Sequence, residues 1–319
     1  MKGLYLSTIF IIFICMVLFP LFSMESRSKE NNTSEPQYNV SYNKDDETLR
    51  VMMTQSDSIY EMSMKEYVIG VVAAEMPAEY EIEALKAQAV VAYTYALYKS
   101  DLRKTEDYDV TDSSKTDQAF LSEATAKERF GDNYEKYIEK ITLAVNEVLG
   151  QTITYDGKVI LACCHSISGG KTESAEAIWG GSYPYLMPVE SVGDVLNPKY
   201  LSEVTVKEKD VKSTLEELDV KIEGDADSWF KEAKKTESGT VTKINVCNKE
   251  LKGSEIRTAF GLRSANFDIE YSDSQFKFTV RGYGHGVGMS QYGAQFMAQQ
   301  GSSYKDILSW YYTDCTITE

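Results

Sequence analysis

Residues that bind structural metals are scarce in this sequence. The 319 residues include five cysteines and two histidines, and no two cysteines have the spacing of a zinc finger or ribbon. This excludes the usual structural metal domains, and the cysteines are too few for a disulfide scaffold. We expect no metal and no cofactor, and we assign no disulfide bond because the sequence leaves the pairing undetermined.

Positive charge is also in deficit. Lysine and arginine number 33 against 49 aspartates and glutamates, which gives a formal net charge of −16. Binding to nucleic acid requires clustered basic side chains, so this balance argues against DNA or RNA as a partner. The hydrophobic fraction of 43% is ordinary for a folded protein that buries a sizeable core.

A long apolar run lies near the N-terminus. Residues 4–23 carry no charge and are about long enough to cross a bilayer. A cleaved signal peptide is the alternative, although the run is longer than a usual signal core and no small-residue cleavage pattern follows it. We expect residues 1–24 to form a membrane anchor, with Lys2 on the cytoplasmic side and the bulk of the chain outside.

The remainder divides into a polar tether over residues 25–46 and a folded region over residues 47–319. The length fits one large domain or two intimate lobes, with a possible second lobe at about residues 196–275. Helical and strand-like stretches are mixed, which predicts the α+β class. Strands are predicted at residues 49–53, 152–155, 159–162, 241–246 and 276–280.

Three helices can be placed from the sequence. Ser63 and Glu66 form a capping box, apolar residues then recur at helical spacing, and Pro77 ends the first helix. A second helix is predicted over residues 81–99, and a third from about residue 291 to 300.

Glu75 falls at the next position of the apolar stripe on the first helix. Burying an ionised carboxylate is costly unless it is paired or protonated, and a carboxyl group that keeps its proton can act as a general acid. The alternative is that the last turn of the helix emerges from the core and Glu75 is simply solvated. The spacing alone leaves both interpretations open.

Three short segments of the sequence are distinctive, and so is their order along the chain. They are residues 67–78 (YVIGVVAAEMPA) with their continuation 83–89 (EALKAQA), residues 165–173 (HSISGGKTE) and residues 282–294 (GYGHGVGMSQYGA). Together they resemble the signatures of the stage II sporulation protein D family, and the resemblance extends from about residue 59 to 312. It implies two lobes around a glycan-binding cleft in a peptidoglycan lytic transglycosylase.

The resemblance implies a catalytic role for Glu75. Hydrolysis of a glycosidic bond usually takes two carboxyl groups. A lytic transglycosylase cleaves the MurNAc–GlcNAc bond with one, because the 6-hydroxyl of the substrate acts as the nucleophile and leaves a 1,6-anhydro-MurNAc end. The substrate-binding candidates carried over from the segments are Lys86, Gln88, His165, Ser168, Tyr283, His285, Gln291 and Tyr292.

Several of these candidates have structural alternatives. His165 and His285 could be hydrogen-bonded loop residues. The glycines at 282, 284, 286 and 288 could serve turns, since no Gly-Lys-Ser/Thr ending follows this run of four as in a phosphate loop. Lys86 and Gln88 point to roughly opposite sides of a helix, so at most one should face Glu75. Four aromatic residues could stack on sugars or belong to the core. These are Trp179, Tyr183, Tyr185 and Tyr283.

The sequence departs from the family in two places. Tyr93 stands where the family commonly has Arg, which puts in doubt any contact made by that Arg. Some relatives carry a His/Cys cluster for zinc after the second helix, but residues 101–120 contain neither residue type.

The resemblance also implies a setting. It suggests a single-pass protein of the mother-cell membrane that faces the septal or intermembrane space during endospore engulfment. Its substrate would be glycan strands without stem peptides, and its partners an amidase and a membrane protein of the SpoIIP and SpoIIM types. A non-catalytic wall-binding scaffold and an amidase-enhancer relative outside sporulation are the alternatives.

Overall fold

The computed structural model describes residues 47–318, in which helices and small sheets are mixed. The α+β class is confirmed for this part of the chain. The predicted membrane anchor and the tether lie outside the described residues. Within residues 47–318 no helix is long and apolar enough to span a bilayer.

Most of the helices surround the larger of two hydrophobic clusters. The α-helices are α1 (Met64–Glu75), α2 (Ile82–Leu102), α3 (Glu123–Phe130), α4 (Tyr134–Val148), α5 (Ala175–Trp179), α6 (Glu208–Glu217), α7 (Gly253–Ala259), α8 (Gln291–Gln299) and α9 (Tyr304–Tyr311). Of these, α6 and α7 pack in the smaller cluster. Short 3-10 helices lie at Gly131–Asn133, Val192–Leu196 and Ala226–Ser228.

The strands are short and form separate sheets. They are β1 (Thr48–Met53), β2 (Ser58–Ser63), β3 (Val110–Thr111), β4 (Thr152–Tyr155), β5 (Lys158–Val159), β6 (Cys164–His165), β7 (Leu201–Lys207), β8 (Phe230–Lys235), β9 (Val241–Val246), β10 (Lys249–Lys252), β11 (Phe267–Ser272), β12 (Gln275–Arg281), β13 (Met289–Ser290) and β14 (Thr316–Thr318). The sheet orders are β2-β1-β3, β10-β9-β8, β11-β12-β7, β13-β6 and β14-β4-β5.

Most of the predicted elements are confirmed. The Ser63 hydroxyl caps α1 by accepting a hydrogen bond from the Glu66 N–H at 3.1 Å, and the helix ends two residues before Pro77. The strand predicted over residues 159–162 is wrong beyond Val159. The Ile160 N–H still donates to Ile153 O of β4 at 3.2 Å, but the Leu161 N–H donates to the Tyr185 hydroxyl at 3.1 Å instead of to a neighbouring strand.

Helix α2 is the centre of the larger cluster. It is buried on nearly all sides between residues 84 and 96, and it packs against α1, α4, α8 and α9. A helix that is apolar all round in this way belongs to the interior of a protein. The position of α2 therefore ties the first of the three sequence segments, on α1, to the last, which continues into α8.

A second hydrophobic cluster is formed by buried residues between positions 211 and 280. Alternate residues of β12 point into it, with Phe276, Phe278 and Val280 all buried, as a half-covered strand requires. This cluster falls largely within the predicted second lobe at about residues 196–275, although the independence of that lobe stays a prediction.

A buried carboxylate fixes the loop between α2 and α3. The side chain of Asp117 is completely buried and accepts hydrogen bonds from Arg103 Nη1 at 2.8 Å and from the Thr111 N–H at 2.8 Å, while Lys99 Nζ lies 2.9 Å away. Burial alone would raise the pKa of Asp117, but these partners outweigh it and hold the pKa below its ordinary value.

Asp117→Asn should destabilise the fold by about 3 kcal/mol at neutral pH, because it removes the carboxylate that pairs with Lys99 and leaves Arg103 with only its longer ion pair to Glu106 at 3.6 Å. The lowered pKa means that Asp117 contributes stability above the unfolded-state value of about 3.9, and that this contribution is lost as the pH falls through the native value. Urea unfolding at pH 7, 5 and 3 should show a difference from wild type that shrinks only below about pH 4.

The matched control is Asp101→Asn, which breaks an exposed ion pair with Lys104. Such pairs contribute about 1 kcal/mol or less, so this variant should unfold close to wild type. A difference for Asp117→Asn that stays constant down to pH 2 would contradict the role of the ionised carboxylate.

Candidate active site

Glu75 is the last residue of α1, and both of its carboxylate oxygens have a hydrogen-bond donor. The Ala119 N–H donates to Oε1 at 3.0 Å, and Gln291 Nε2 donates to Oε2 at 2.9 Å. The side chain is half-buried. Glu75 is therefore held in place by two partners and is not a freely solvated residue at a helix end.

The Ala119 donor reaches Glu75 because its loop packs directly on α1. Gly70 makes this approach possible, since a Cβ atom there would lie 2.2 Å from Phe120 Cε2 and 2.7 Å from Leu121 O. The Leu121 N–H donates to Gly70 O at 3.1 Å, and the Phe120 ring stacks on Tyr67 at 5.7 Å. The absence of a side chain at position 70 thus places a backbone donor beside the acid.

The Gln291 donor is the first residue of α8. Ser290 precedes it, lies in β13 and caps the helix by accepting from the Gly293 N–H at 3.2 Å. Strand β13 pairs in parallel with β6, so that Ser290 lies opposite His165. The pairing brings the second and third sequence segments together beneath Glu75.

Asp194 links the second and third segments at this pairing, and the sequence analysis did not identify it. It is fully buried, and it accepts hydrogen bonds from the Ser168 N–H and from Ser290 Oγ, both at 2.8 Å. Burial raises the pKa of Asp194 despite these bonds, because both donors are uncharged. No periodicity or motif surrounds Asp194, so the sequence held no signal for it.

The two histidines also join the second and third segments. His165 Nδ1 lies 3.2 Å from Val287 O, so this nitrogen carries the proton, whereas the Val287 N–H donates to His285 Nδ1 at 3.1 Å. Burial lowers the pKa of His165 to about 3 and that of His285 to about 4, the latter with help from Arg257. Both rings are therefore neutral at neutral pH. Their predicted contact with substrate stays a prediction.

Gln88 and Lys86 lie on different sides of α2, as their spacing requires. Gln88 is buried beneath the site, where its Nε2 lies 3.4 Å from Cys164 Sγ. The Lys86 ammonium forms ion pairs with Glu83 at 2.7 Å and with Glu147 at 2.5 Å. Gln88 therefore faces the floor of the site, and Lys86 is directed to α4.

A cleft with a volume of about 340 Å³ opens in front of Glu75. Of the predicted residues, Tyr283 and Gln291 line it together with Glu75, and Tyr283 is 45% exposed. Tyr292 packs edge-on against Tyr80 of the cleft wall at 6.4 Å. Ser168 is buried and does not belong to the lining. The cleft wall also contains Arg129 and Lys199.

The glycines of the third segment serve close packing. Gly288 has a positive φ of 73°, and a Cβ atom there would lie 2.1 Å from Cys163 O. At Gly284, with a φ of 116°, it would lie 2.8 Å from His165 Cβ. These positions need glycine for both reasons, which accounts for the glycine-rich spacing without a bound phosphate.

The structure shows the contacts made at both places where the sequence departs from the family pattern, Tyr93 and the segment after α2. Tyr93 is buried and donates its hydroxyl hydrogen bond to Glu47 Oε2 at 2.7 Å. The segment after α2 is held by Asp117 and its cations, as described above. In the part of the chain that the structure describes, no three His, Cys, Asp or Glu side chains are grouped as they would be around a metal ion.

Comparison with known proteins supports one family. The family model for stage II sporulation protein (SpoIID) matches residues 53–155, which include Glu75 and Ala119. Stage II sporulation protein D of Bacillus amyloliquefaciens is 38% identical over 272 residues, which cover 84% of this chain and 78% of that protein.

Two proteins of Bacillus subtilis extend the comparison. Its stage II sporulation protein D is 38% identical over 275 residues, or 85% of this chain and 79% of that protein. Its amidase enhancer is 26% identical over 299 residues, or 78% of this chain and 40% of that protein. The chain therefore belongs to the stage II sporulation protein D family.

Proposed function

We propose that this protein is a peptidoglycan lytic transglycosylase of sporulation and that Glu75 is its catalytic acid and base. The observation that carries the proposal is the position of Glu75. Within residues 47–318 it is the one carboxylate in the lining of its cleft, and two donors fix its orientation. A second carboxyl group, which glycoside hydrolysis usually needs, does not line that cleft.

The proposed reaction uses one carboxyl group twice. Protonated Glu75 gives its proton to the glycosidic oxygen, and the bond from that oxygen to C1 of N-acetylmuramic acid breaks. The resulting carboxylate then takes the proton of the 6-hydroxyl of the same sugar as O6 bonds to C1. The product is a 1,6-anhydro ring, Glu75 regains its proton, and no water is consumed.

The hydrogen bonds to Glu75 suit this double role. Each carboxylate oxygen has two lone pairs, so one donor per oxygen leaves a position on each oxygen for substrate. The donors come from Ala119 and Gln291, whose segments are each fixed by buried contacts. The carboxyl group is thus oriented before substrate binds, which reduces the reorganisation needed for proton transfer.

The surface around Glu75 fits a polymer. A second depression of about 360 Å³ shares Pro77 and Arg129 with the Glu75 cleft, so the two are neighbours. The exposed ring of Tyr283 lies in the wall of the Glu75 cleft, and Trp179, which is 46% exposed, contacts His285, two residues along the chain from Tyr283. Adjoining depressions and exposed rings are what successive sugars of a glycan strand require.

The proposed setting rests on the family and on the N-terminal sequence. The apolar run over residues 4–23 would anchor the protein in the mother-cell membrane, with the catalytic region outside. Peptide-free glycan as substrate, and an amidase and a membrane protein as partners, are proposed by analogy with the family alone.

An alternative function is suggested by the similarity to the amidase enhancer, which spans 78% of this chain. In that case the protein would bind glycan and assist another enzyme without cutting the strand itself. Such a protein has no need of an oriented carboxyl group in its cleft, so the surroundings of Glu75 favour the enzyme. The two functions differ in what the substitution of Glu75 should do.

Glu75→Gln should lower the release of anhydro-muropeptides from peptide-free glycan by at least about 100-fold, because the amide cannot transfer the proton. Glycan binding should persist, since the side chain keeps its shape. Mass spectrometry identifies the product, which is one water lighter than the product of hydrolysis. Glu66→Gln, on the exposed start of the same helix, is the matched control and should remain active.

Two outcomes would contradict this assignment. Equal product release by Glu75→Gln and wild type would show that the acid is another residue. If neither protein releases anhydro-muropeptides while both bind glycan, the binding function replaces the enzymatic one.

Gln291→Leu should lower kcat on the order of 100-fold and leave KM within about twofold, because it removes the donor that orients Glu75. A rise in KM at constant kcat would instead assign Gln291 to substrate binding. Steady-state rates of anhydro-product formation distinguish the two roles. Gln299→Leu, exposed at the end of the same helix, is the control and should behave like wild type.

A further inference from the structure

We propose that Gln88 and Cys164, two residues that do not line the cleft, are positioning residues of the candidate active site. Through a contact with the Cys164 sulfur, the side-chain amide of Gln291 is held so that an N–H group, and not the oxygen, faces Glu75. The inference rests on the proposed function, because it concerns the donor that orients the catalytic carboxyl group. It gives Gln88 a different task from the contact with substrate that the family resemblance implies.

The side chain of a glutamine ends in two groups of similar size and opposite chemistry. Its nitrogen donates two hydrogen bonds, whereas its oxygen only accepts them. Because Gln291 Nε2 lies 2.9 Å from Glu75 Oε2, the carboxylate receives a hydrogen bond. If the amide were turned round, its oxygen would face the carboxylate, and Glu75 would lose this donor. The site therefore depends on whatever fixes the end of the Gln291 amide that points to Glu75.

The second N–H of the Gln291 amide has an acceptor in the thiol of Cys164. Gln291 Nε2 donates to Cys164 Sγ at 3.8 Å, and Gln88 Nε2 donates to the same sulfur at 3.4 Å. A thiol sulfur carries one hydrogen and two lone pairs, so the two amides can occupy both lone pairs. The thiol hydrogen then points away from Gln291. The sulfur thus presents an acceptor to Gln291, and it is the amide nitrogen that meets this acceptor.

The Cys164 sulfur is fixed in place and is uncharged. Cys164 is the first residue of β6 and pairs with Met289 of β13, two residues before Gln291, so the backbone is held at both ends of the contact. Burial raises the pKa of the Cys164 thiol, and the nearby charge of Glu75 raises it further. The thiol therefore keeps its proton at neutral pH and adds no second negative charge beside Glu75.

Gln88 is polar at a position where an apolar residue would suit the fold better. It is fully buried in α2, and its Oε1 has no hydrogen-bond partner among the described residues. A buried oxygen without a partner destabilises a protein, and an apolar side chain of similar shape would avoid this penalty. Its Nε2, in contrast, donates to the Cys164 sulfur. The presence of glutamine at this position thus indicates a function for its N–H group, which is to hold the thiol in the orientation that accepts from Gln291.

The first experiment measures steady-state release of anhydro-muropeptides by the full-length protein. Cys164→Ala removes the acceptor and should lower kcat about tenfold while KM stays within about twofold, because the orientation of Glu75 changes and the binding of glycan does not. Cys164→Ser keeps an acceptor and should stay within about threefold of wild type. Cys163→Ala is the matched control, since it removes the neighbouring buried thiol from the same hydrophobic cluster, and kcat should stay within about twofold of wild type.

Gln88→Met separates a positioning role from a role in stability. Methionine has a similar length and brings no unpaired oxygen into the core, so the unfolding temperature should equal or exceed that of wild type. At the same time kcat should fall about fivefold, because the thiol is no longer held by its second donor. Unchanged kcat, or a kcat that falls only together with the unfolding temperature, would overturn the role of Gln88.

A double substitution shows whether Cys164 acts through Gln291. Gln291→Leu removes the amide that Cys164 orients, so the addition of Cys164→Ala should change kcat by less than about twofold. If Cys164 acted in any other way, its effect of about tenfold would multiply with that of Gln291→Leu. A multiplicative result would therefore overturn the inference.

A spectroscopic measurement tests the contact without relying on activity. In full-length protein labelled with ¹⁵N at its glutamine side chains, the Gln291 amide signals can be identified by their loss in Gln291→Leu. These signals should shift in Cys164→Ala and stay in place in Cys163→Ala.

The two readouts together separate this inference from the proposed function. If wild type releases no anhydro-product but the Gln291 signals shift in Cys164→Ala, the proposed function is wrong and the orienting contact remains. If wild type is active and neither kcat nor the Gln291 signals respond to Cys164→Ala, the positioning role is wrong and the role of Glu75 remains.

Discussion

The candidate site depends on a carboxylate placed at the end of a helix where backbone charge opposes it. The last carbonyl groups of α1 give that end partial negative charge, which is unfavourable for an acidic side chain. Glu75 is the terminal residue of α1, and its two oxygens are stabilised by an N–H from residue 119 and an amide from residue 291. Three parts of the chain that are far apart in sequence must therefore be correctly placed before the Glu75 carboxylate receives both hydrogen bonds.

Two buried aspartates hold these parts of the chain in place, and they do so with different kinds of partner. Asp117 is surrounded by cations and keeps its charge, and it fixes the loop that carries Ala119. Asp194 has only neutral donors, and it joins Ser168 to the start of α8, which carries Gln291. The opposite directions of their pKa shifts follow from this difference. The loop after α2 is thus held by an ionic cluster, and the start of α8 by a neutral hydrogen-bond network.

Local features of the site could be predicted from sequence, and long-range ones could not. Ser63, Pro77 and the apolar spacing defined α1, so the unusual position of Glu75 could be inferred from the residue pattern alone. The Ala119 donor is a backbone N–H, which every residue except proline has, so the residue type at position 119 does not predict it. Asp194 lies in a segment without periodicity, and its role depends on partners from distant parts of the chain. The strand predicted over residues 159–162 ended early because the Leu161 N–H donates to the Tyr185 hydroxyl. The residue pattern alone does not predict this contact.

Because the two imidazoles are neutral at neutral pH, their lowered pKa values determine how this part of the fold responds to acid. Histidines of ordinary pKa would become charged as the surroundings acidify below about pH 6.5. With pKa values of about 3 and 4, His165 and His285 stay uncharged through mild acidification. The two imidazoles between β6 and the glycine-rich segment therefore add no positive charge to this buried contact when the surroundings become mildly acidic.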